Sequence, residues 1–372
     1  MINYKSTIKL LKELDWKLIA TVTTIFLFGL VILSSATYAL TLGNYKQIYV
    51  QGAAFVLGMG VILIILSIDY NFLGNYYKEL YIISLILLAV VMVPGIGAER
   101  GGARSWIDLG PIDLQTSEIV KLTFILSYAK IVEAKRDKLN TIKEIFQVAI
   151  YAVPILGLLL IQPDLGSAIV FMCIILSMLF TAGLSLKIIR NGLLAIILAL
   201  PVIYMMLASH QKERIEAFLN PSDPTLEGNY QVYQSLIAIG SGGITGKGLG
   251  QGSQSQDGFL PVQDSDFIFA VVGEELGAIG MIFLITLFVI FLMRIINIAR
   301  EAKDFYGTLI VMGVLGMFAY QIIQNIAMTV ALIPVTGVTL PFVSYGGSSM
   351  LTSLANLGLV LNVGMRKKKI NF

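Results

Sequence analysis

Phe267-Ile-Phe-Ala-Val-Val-Gly-Glu-Glu-Leu-Gly-Ala-Ile-Gly-Met-Ile-Phe-Leu-Ile-Thr-Leu-Phe-Val-Ile-Phe-Leu-Met293 is an apolar run broken by two charges, Glu274 and Glu275. At about 1.5 Å per residue a helix of this length crosses a hydrocarbon core of about 30 Å, with every backbone group satisfied internally. Similar runs lie near Trp16 to Thr37, Gln47 to Ile68, Tyr77 to Pro94, Thr116 to Ile131, Ile145 to Ile161, Gly166 to Gly183, Ile188 to Leu207, Tyr306 to Val330 and Tyr345 to Met365. The expected fold is all-α: a polytopic membrane protein with ten transmembrane helices, one domain over residues 1–372. Of the 372 residues 56% are hydrophobic and 13% charged, with a mean hydropathy of +0.83, which excludes an ordinary soluble domain and a disordered chain. The first run is too long for a cleavable signal peptide, and no small-residue cleavage site follows it.

Alternate loops fall on opposite sides of a membrane, and Lys and Arg gather on the cytoplasmic side. With the N-terminus inside, the inner segments hold Lys5, Lys9, Lys12, Lys17, Lys78, Lys135, Arg136, Lys138, Lys143, Lys187, Arg190, Arg294, Arg300, Lys303 and Arg366 to Lys369. The outer segments hold only Lys46, Arg100, Arg104, Lys212, Arg214 and Lys247. Both termini are therefore expected in the cytoplasm, with the large extracytoplasmic loop 209–265 between helices 7 and 8. Ile8, Leu11 and Leu14 among Lys5, Lys9 and Lys12 fit a short interfacial helix or, equally, a solvated tail.

The net charge of +3 gives no sign of a nucleic-acid partner. Cys173 and His210 are each alone in the chain, which excludes an intrachain disulfide and a Cys or His zinc cage. Any metal must take oxygen ligands, favouring magnesium, manganese or calcium.

Polar chemistry gathers in four outer segments: Gly95 to Gln115, the hinge Gln162 to Gly166, Ser209 to Ser265, and Ala331 to Ser344. In the fourth span Glu118 and Lys121 share a helix face, with Gln115 on the same side; they form either a structural ion pair or part of a substrate site. Lys130 snorkels toward the cytoplasm. Asp164, after Pro163 at a helix break, reads as a helix cap that also lines a polar cavity, with a plain cap as the alternative. Asp264 and Asp266 stand just before Phe267, where a partly desolvated carboxylate gains basicity, although either residue could cap the helix. At least one of Glu274 and Glu275 needs a partner. Gly240 to Gly252 fails the phosphate-loop pattern, because Lys247 is followed by Gly248, and reads as a flexible or tightly turned loop with Lys247 a candidate anion contact. His210 reads as a solvated residue, and Ser344, Ser348 and Ser349 as a small-residue start to the last helix.

Five stretches, in order along nearly the whole chain, carry a resemblance: Gly101-Gly-Ala-Arg-Ser-Trp106, Gln115-Thr-Ser-Glu-Ile-Val-Lys121, Gln162-Pro-Asp-Leu-Gly166, Asp266-Phe-Ile-Phe-Ala270 with Gly273-Glu-Glu-Leu-Gly277, and Leu340-Pro-Phe-Val-Ser-Tyr-Gly-Gly-Ser-Ser349. The chain resembles the SEDS (shape, elongation, division and sporulation) family of bacterial membrane proteins. The resemblance implies ten transmembrane helices and a peptidoglycan glycosyltransferase that polymerises lipid II at the outer face of the cytoplasmic membrane. It also implies a class B penicillin-binding protein as partner, a divalent cation (Mg2+ or Mn2+) and an essential aspartate, which by motif is Asp266. Ile333-Pro-Val-Thr-Gly337 and the short tails resemble the rod-shape elongation branch more than the division branch. The chain departs from the family pattern at Thr116, usually proline, and at Val262 to Ser265, where many members read Glu-x-His-Thr.

On this reading Asp266 is the general base for the GlcNAc 4-hydroxyl of incoming lipid II, which attacks the growing strand's anomeric carbon with inversion and releases undecaprenyl pyrophosphate. The leaving charge is met by a divalent cation, with Glu118 and Asp266 as candidate ligands, and by Arg104, Lys121, Arg214 or Lys247. Gln115, Asp164 and Ser344 complete the expected substrate site. Two rival readings are a lipid-precursor flippase or transporter, for which buried Glu118 and Lys121 would line the path, and a scaffold that recruits the penicillin-binding protein. The division or sporulation branch of the same family is a further alternative.

Overall fold

A computed structural model describes residues 13–38, 45–100, 102–108, 113–221 and 226–367. The expected interfacial segment at Ile8 and Leu11, together with Lys368 and Lys369, lies outside the described residues.

All ten apolar runs are helical. They are α1 (Trp16–Tyr38), α2 (Lys46–Ser67), α4 (Tyr77–Val90), α5 (Thr116–Lys135), α6 (Ile142–Ile161), α7 (Leu165–Thr181), α8 (Leu186–Met206), α12 (Ile268–Glu301), α13 (Phe305–Thr329) and α14 (Gly347–Met365). Among the described residues seven of these are long and apolar enough to cross a membrane. The other three are α4, with 14 residues, α7, with 17, and α5, which carries Glu118, Lys121, Lys130 and Glu133. The chain is a multi-pass membrane protein. Its centre is α14, buried along most of its length and packed against α2, α13 and α5. By contrast, none of the described side chains of α8 is buried.

Side-chain contacts sort the connections onto two ends of the bundle. At one end Arg294 pairs with Asp15, Lys367 with Glu301, Lys135 with Glu144 and Arg366 with Asp69. The short α3 (Tyr70–Gly74) joins them there through Tyr70, whose hydroxyl donates to Asp304 at 2.7 Å. The four segments expected outside meet at the other end: Gln211 reaches the Pro163 carbonyl, the Arg104 N–H donates to the Gln162 carbonyl, and the Tyr345 N–H to the Asp264 carbonyl.

Two features correct the expectation of helices joined by loops. Residues 95–115 contain a three-stranded antiparallel sheet in the order β1 (Gly97–Arg100), β2 (Ala103–Asp108), β3 (Asp113–Gln115), so the fold is mostly helical and not purely so. Short alternating strands with charged residues leave no long apolar signal, which is why hydropathy misses them. The segment 209–265 is likewise built around three helices, α9 (Ser209–Leu219), α10 (Glu227–Gly242) and α11 (Ser253–Gln256), and α10 packs on α12.

Helix α12 is broken at Gly277, where φ is 64° and ψ −162°. The glycine-rich loop after α10 enters the break. Lys247 and Gly248 N–H groups donate to the freed carbonyls of Glu274 and Glu275, and Ala278 and Ile279 N–H groups donate to Gly243 and Ile244 carbonyls. A Cβ on Gly277 would lie 2.4 Å from the Gly246 nitrogen, so glycine is required there by both conformation and space.

Candidate active site

Asp266 ends the segment that enters α12, and its side chain caps nothing: the N-cap is Phe267, without a side-chain hydrogen bond. The helix-cap explanation for Asp264 and Asp266 therefore fails. Three successive carbonyls hold this segment in place. Asp264 O accepts from the Tyr345 N–H at 2.8 Å, Ser265 O from the Ser344 hydroxyl at 2.6 Å, and Asp266 O from the Asn325 amide at 3.0 Å. Gln47 of α2 adds a hydrogen bond to Asp264 Oδ2 at 2.9 Å, and Gln51, one turn on, donates to the Ser344 carbonyl.

The carboxyl so placed is perturbed. Burial raises the Asp266 pKa to about 6; the Arg214 guanidinium opposes that rise and the neighbouring Asp264 charge adds to it. Arg214 arrives from α9, whose Gln211, on the same helix face, is anchored to the Pro163 carbonyl at 2.9 Å. Gly337, at φ 69°, lies between the two groups: a Cβ there would sit 3.6 Å from Asp266 Oδ2 and 4.0 Å from Arg214 Nη1. Asp266, Arg214 and the backbone at Gly337 thus form one constellation, and Ser344 belongs to its support.

The other candidate residues form separate clusters. Asp164 caps α7, accepting from the Ser167 N–H and hydroxyl at 3.0 and 2.8 Å, and takes the Gln115 amide at 3.3 Å. This cluster abuts the same loop as Asp266, because a Cβ on Gly166 would lie 2.7 Å from the Thr336 carbonyl. Glu118 and Lys121 are 7% and 2% exposed and pair at 2.5 Å, while Thr352 of α14 donates to the second Glu118 oxygen at 2.7 Å. Arg104 donates to the carbonyls of Gly97 and Val93 at 3.3 Å, which commits its charge to its own hairpin. Lys247 is held by Glu274 and Ser253, each at 2.8 Å. Glu274 and Glu275 are both partnered, Glu275 through the Ser35 hydroxyl and the Gln256 amide. His210 is half-buried against Gly102, contrary to the solvated reading.

A family model described as "Cell cycle protein", covering FtsW, RodA and SpoVE, matches residues 15–369. The chain belongs to the SEDS family. This SEDS chain is 38% identical over 365 residues, 95% of its length and 93% of the relative's, to the probable peptidoglycan glycosyltransferase FtsW of Trichlorobacter lovleyi. It is 38% identical to the stage V sporulation protein E of Bacillus subtilis, covering 82% of this chain and 84% of that one. Among solved structures it matches a chain of a peptidoglycan synthase complex described as coordinating polymerization and crosslinking, with a TM-score of 0.81 and 32% identity over 94% of this chain and 97% of that one. It also matches the rod shape determining protein RodA of Thermus thermophilus, with a TM-score of 0.72 and 31% identity over 96% and 98% of the two chains.

Among the described residues of the SEDS chain no group of three or more acidic, histidine or cysteine side chains is arranged to hold a metal. Glu118 does not fit the expected ligand role, because Lys121 and Thr352 occupy both of its oxygens. Asp266 with Asp264 beside it does fit a Mg2+-type ion, which takes one or two carboxylates and completes its shell with phosphate and water. Sequence reasoning missed Gln47, Gln51, Asn325 and Gly337. A pair of glutamines four residues apart in an apolar run, and an asparagine within Gln321-Ile-Ile-Gln-Asn325, were the available signals.

Proposed function

We propose that the chain is a peptidoglycan glycosyltransferase that polymerises lipid II at the outer face of the bacterial cytoplasmic membrane, together with a class B penicillin-binding protein. The observation that carries this reading is the Asp266 carboxyl, raised to about 6 and set across Gly337 from Arg214 on a clamped segment. A general base works best with a pKa near the working pH. Asp266 takes the proton of the GlcNAc 4-hydroxyl as that oxygen bonds to the anomeric carbon of the growing strand. The bond to undecaprenyl pyrophosphate breaks with inversion, and Arg214 is the cation placed to meet the developing charge. A divalent cation held by Asp266, Asp264 and pyrophosphate oxygens would supply further neutralisation of the leaving group.

The reading includes ten crossings, cytoplasmic termini and an outward-facing Asp266. It is supported by the Lys and Arg distribution and by the gathering of Asp266 with all four outer segments at the end opposite Asp15, Glu301 and Lys367. The Ile333 to Gly337 stretch supports a role in elongation and rod shape. Depletion in a rod-shaped host checks this: rounding supports elongation, whereas filamentation or a defect confined to spores assigns division or sporulation. The transport reading rested on Glu118 and Lys121, and their mutual pairing leaves it without a supporting observation of its own.

The test is reconstitution of the purified chain with its partner, lipid II and Mg2+. Asp266→Asn is expected to remain folded and partner-bound while glycan strands disappear; retained polymerisation would sink the base assignment.

A further inference from the structure

Asn325 lies on the buried face of α13, fully enclosed. Its Nδ2 carries two hydrogens, and both are used: one reaches the Asp266 carbonyl at 3.0 Å and the other the Val338 carbonyl at 2.9 Å. Those acceptors sit on two separate segments, one carrying the carboxyl and the other Gly337. Turning the amide over would set Oδ1 against two carbonyl oxygens, so the hydrogen bonding itself dictates which atom is nitrogen. Oδ1 has no partner, so the polar grip of this side chain runs entirely through the two N–H bonds.

We propose that Asn325 is a positioning residue for glycosyl transfer, whose amide sets the spacing between the Asp266 carboxyl and the Gly337 backbone against which the reacting sugars lie. The inference rests on the reading of Asp266 as the base. Few side chains can replace it. An ionised aspartate carries no donor hydrogen and would turn a carboxylate toward two carbonyls; serine offers one hydrogen; alanine offers none. The carbonyls of Asp264 and Ser265 keep their own donors in Tyr345 and Ser344, so losing Asn325 frees the last carbonyl of the segment without undoing the rest. The expected signature is a misplaced base in a folded protein.

The experiment uses the full chain with its partner and lipid II as the probe, comparing Asn325→Ala, Asn325→Ser, Asn325→Asp and Asp266→Asn. A displacement of about 1 Å costs on the order of 100-fold in rate, so Asn325→Ala should lower kcat by roughly 10- to 100-fold. KM for lipid II should stay within about threefold, since the bond acts on the base and not on substrate binding. Asn325→Asp should be as impaired as Asn325→Ala, and Asn325→Ser intermediate; the serine variant supplies the reading if the alanine variant does not fold. A kcat within twofold of the unmodified chain in folded Asn325→Ala or Asn325→Ser overturns the proposal. So does a loss of kcat matched by a proportional rise in KM. If Asp266→Asn polymerises normally, the base reading fails; if it is inactive while Asn325→Ala is fully active, only the Asn325 inference fails.

Discussion

Burial, the Arg214 guanidinium and the Asp264 charge together set the acidity of Asp266. Its carboxyl must be ionised to accept a proton, so the rate should rise with pH through about 6 and level off above it, with the midpoint lower when a divalent cation occupies the site. Because Arg214 holds the pKa down, Arg214→Gln should move the midpoint to higher pH, and because Asp264 holds it up, Asp264→Asn should move it lower. Initial rates of strand formation between pH 5 and 8 check both signs. The same elevation makes ionisation unfavourable for the fold, so this group's contribution to stability falls as pH rises from its ordinary value of 3.8 to about 6 and is constant above that. Glu118 and Lys121 behave differently, as a closed pair. Lys121→Met leaves a buried carboxylate without its cation and should destabilise the protein by about 3–5 kcal/mol, whereas Glu118→Gln with Lys121→Met should recover most of that loss. Thermal unfolding in detergent measures both, and an undiminished Tm for Lys121→Met would remove the structural role.

At the scale of elements, the broken α12 positions Glu274, Glu275 and the loop after α10 as one unit. Gly240 to Gly252 was legible as a turn because its glycines are so dense, but the groove it fills was not, since Gly277 lies more than twenty residues away inside an apolar run. At φ 64° and ψ −162° Gly277 occupies backbone space nearly closed to other residues, and a Cβ meets the Gly246 nitrogen. Gly277→Ala should lower unfolding stability by about 2 kcal/mol or more, read from a denaturant titration, even though alanine is the better helix former. The sheet at residues 97–115 makes the complementary point: its short strands are paired through main-chain hydrogen bonds that leave little trace in hydropathy.

At the scale of the whole molecule, the segments gathered around Asp266 and the charge pairs of Asp15 and Glu301 occupy opposite ends of the bundle. With Cys173→Ser as background, Asp257→Cys should react with a membrane-impermeant thiol reagent in intact cells, and Asp137→Cys only after permeabilisation. The reverse pattern would invert the proposed orientation. The amino-acid sequence by itself marked the ten apolar runs that fold as helices and the candidate status of Asp264 and Asp266 at the start of one of them, because a hydrocarbon solvent forces apolar length and charge placement to be written locally. Tertiary structure decided which candidates belong together. Arg214 and Asp266 meet across Gly337, and Asn325 ties the Asp266 carbonyl to that of Val338, because α9, α13 and the segment before α14 converge, while Arg104, Lys247 and Glu118 are taken by other partners. A charge in sequence says only that it needs a partner; which partner it takes is fixed by distances that exist only once the chain has packed.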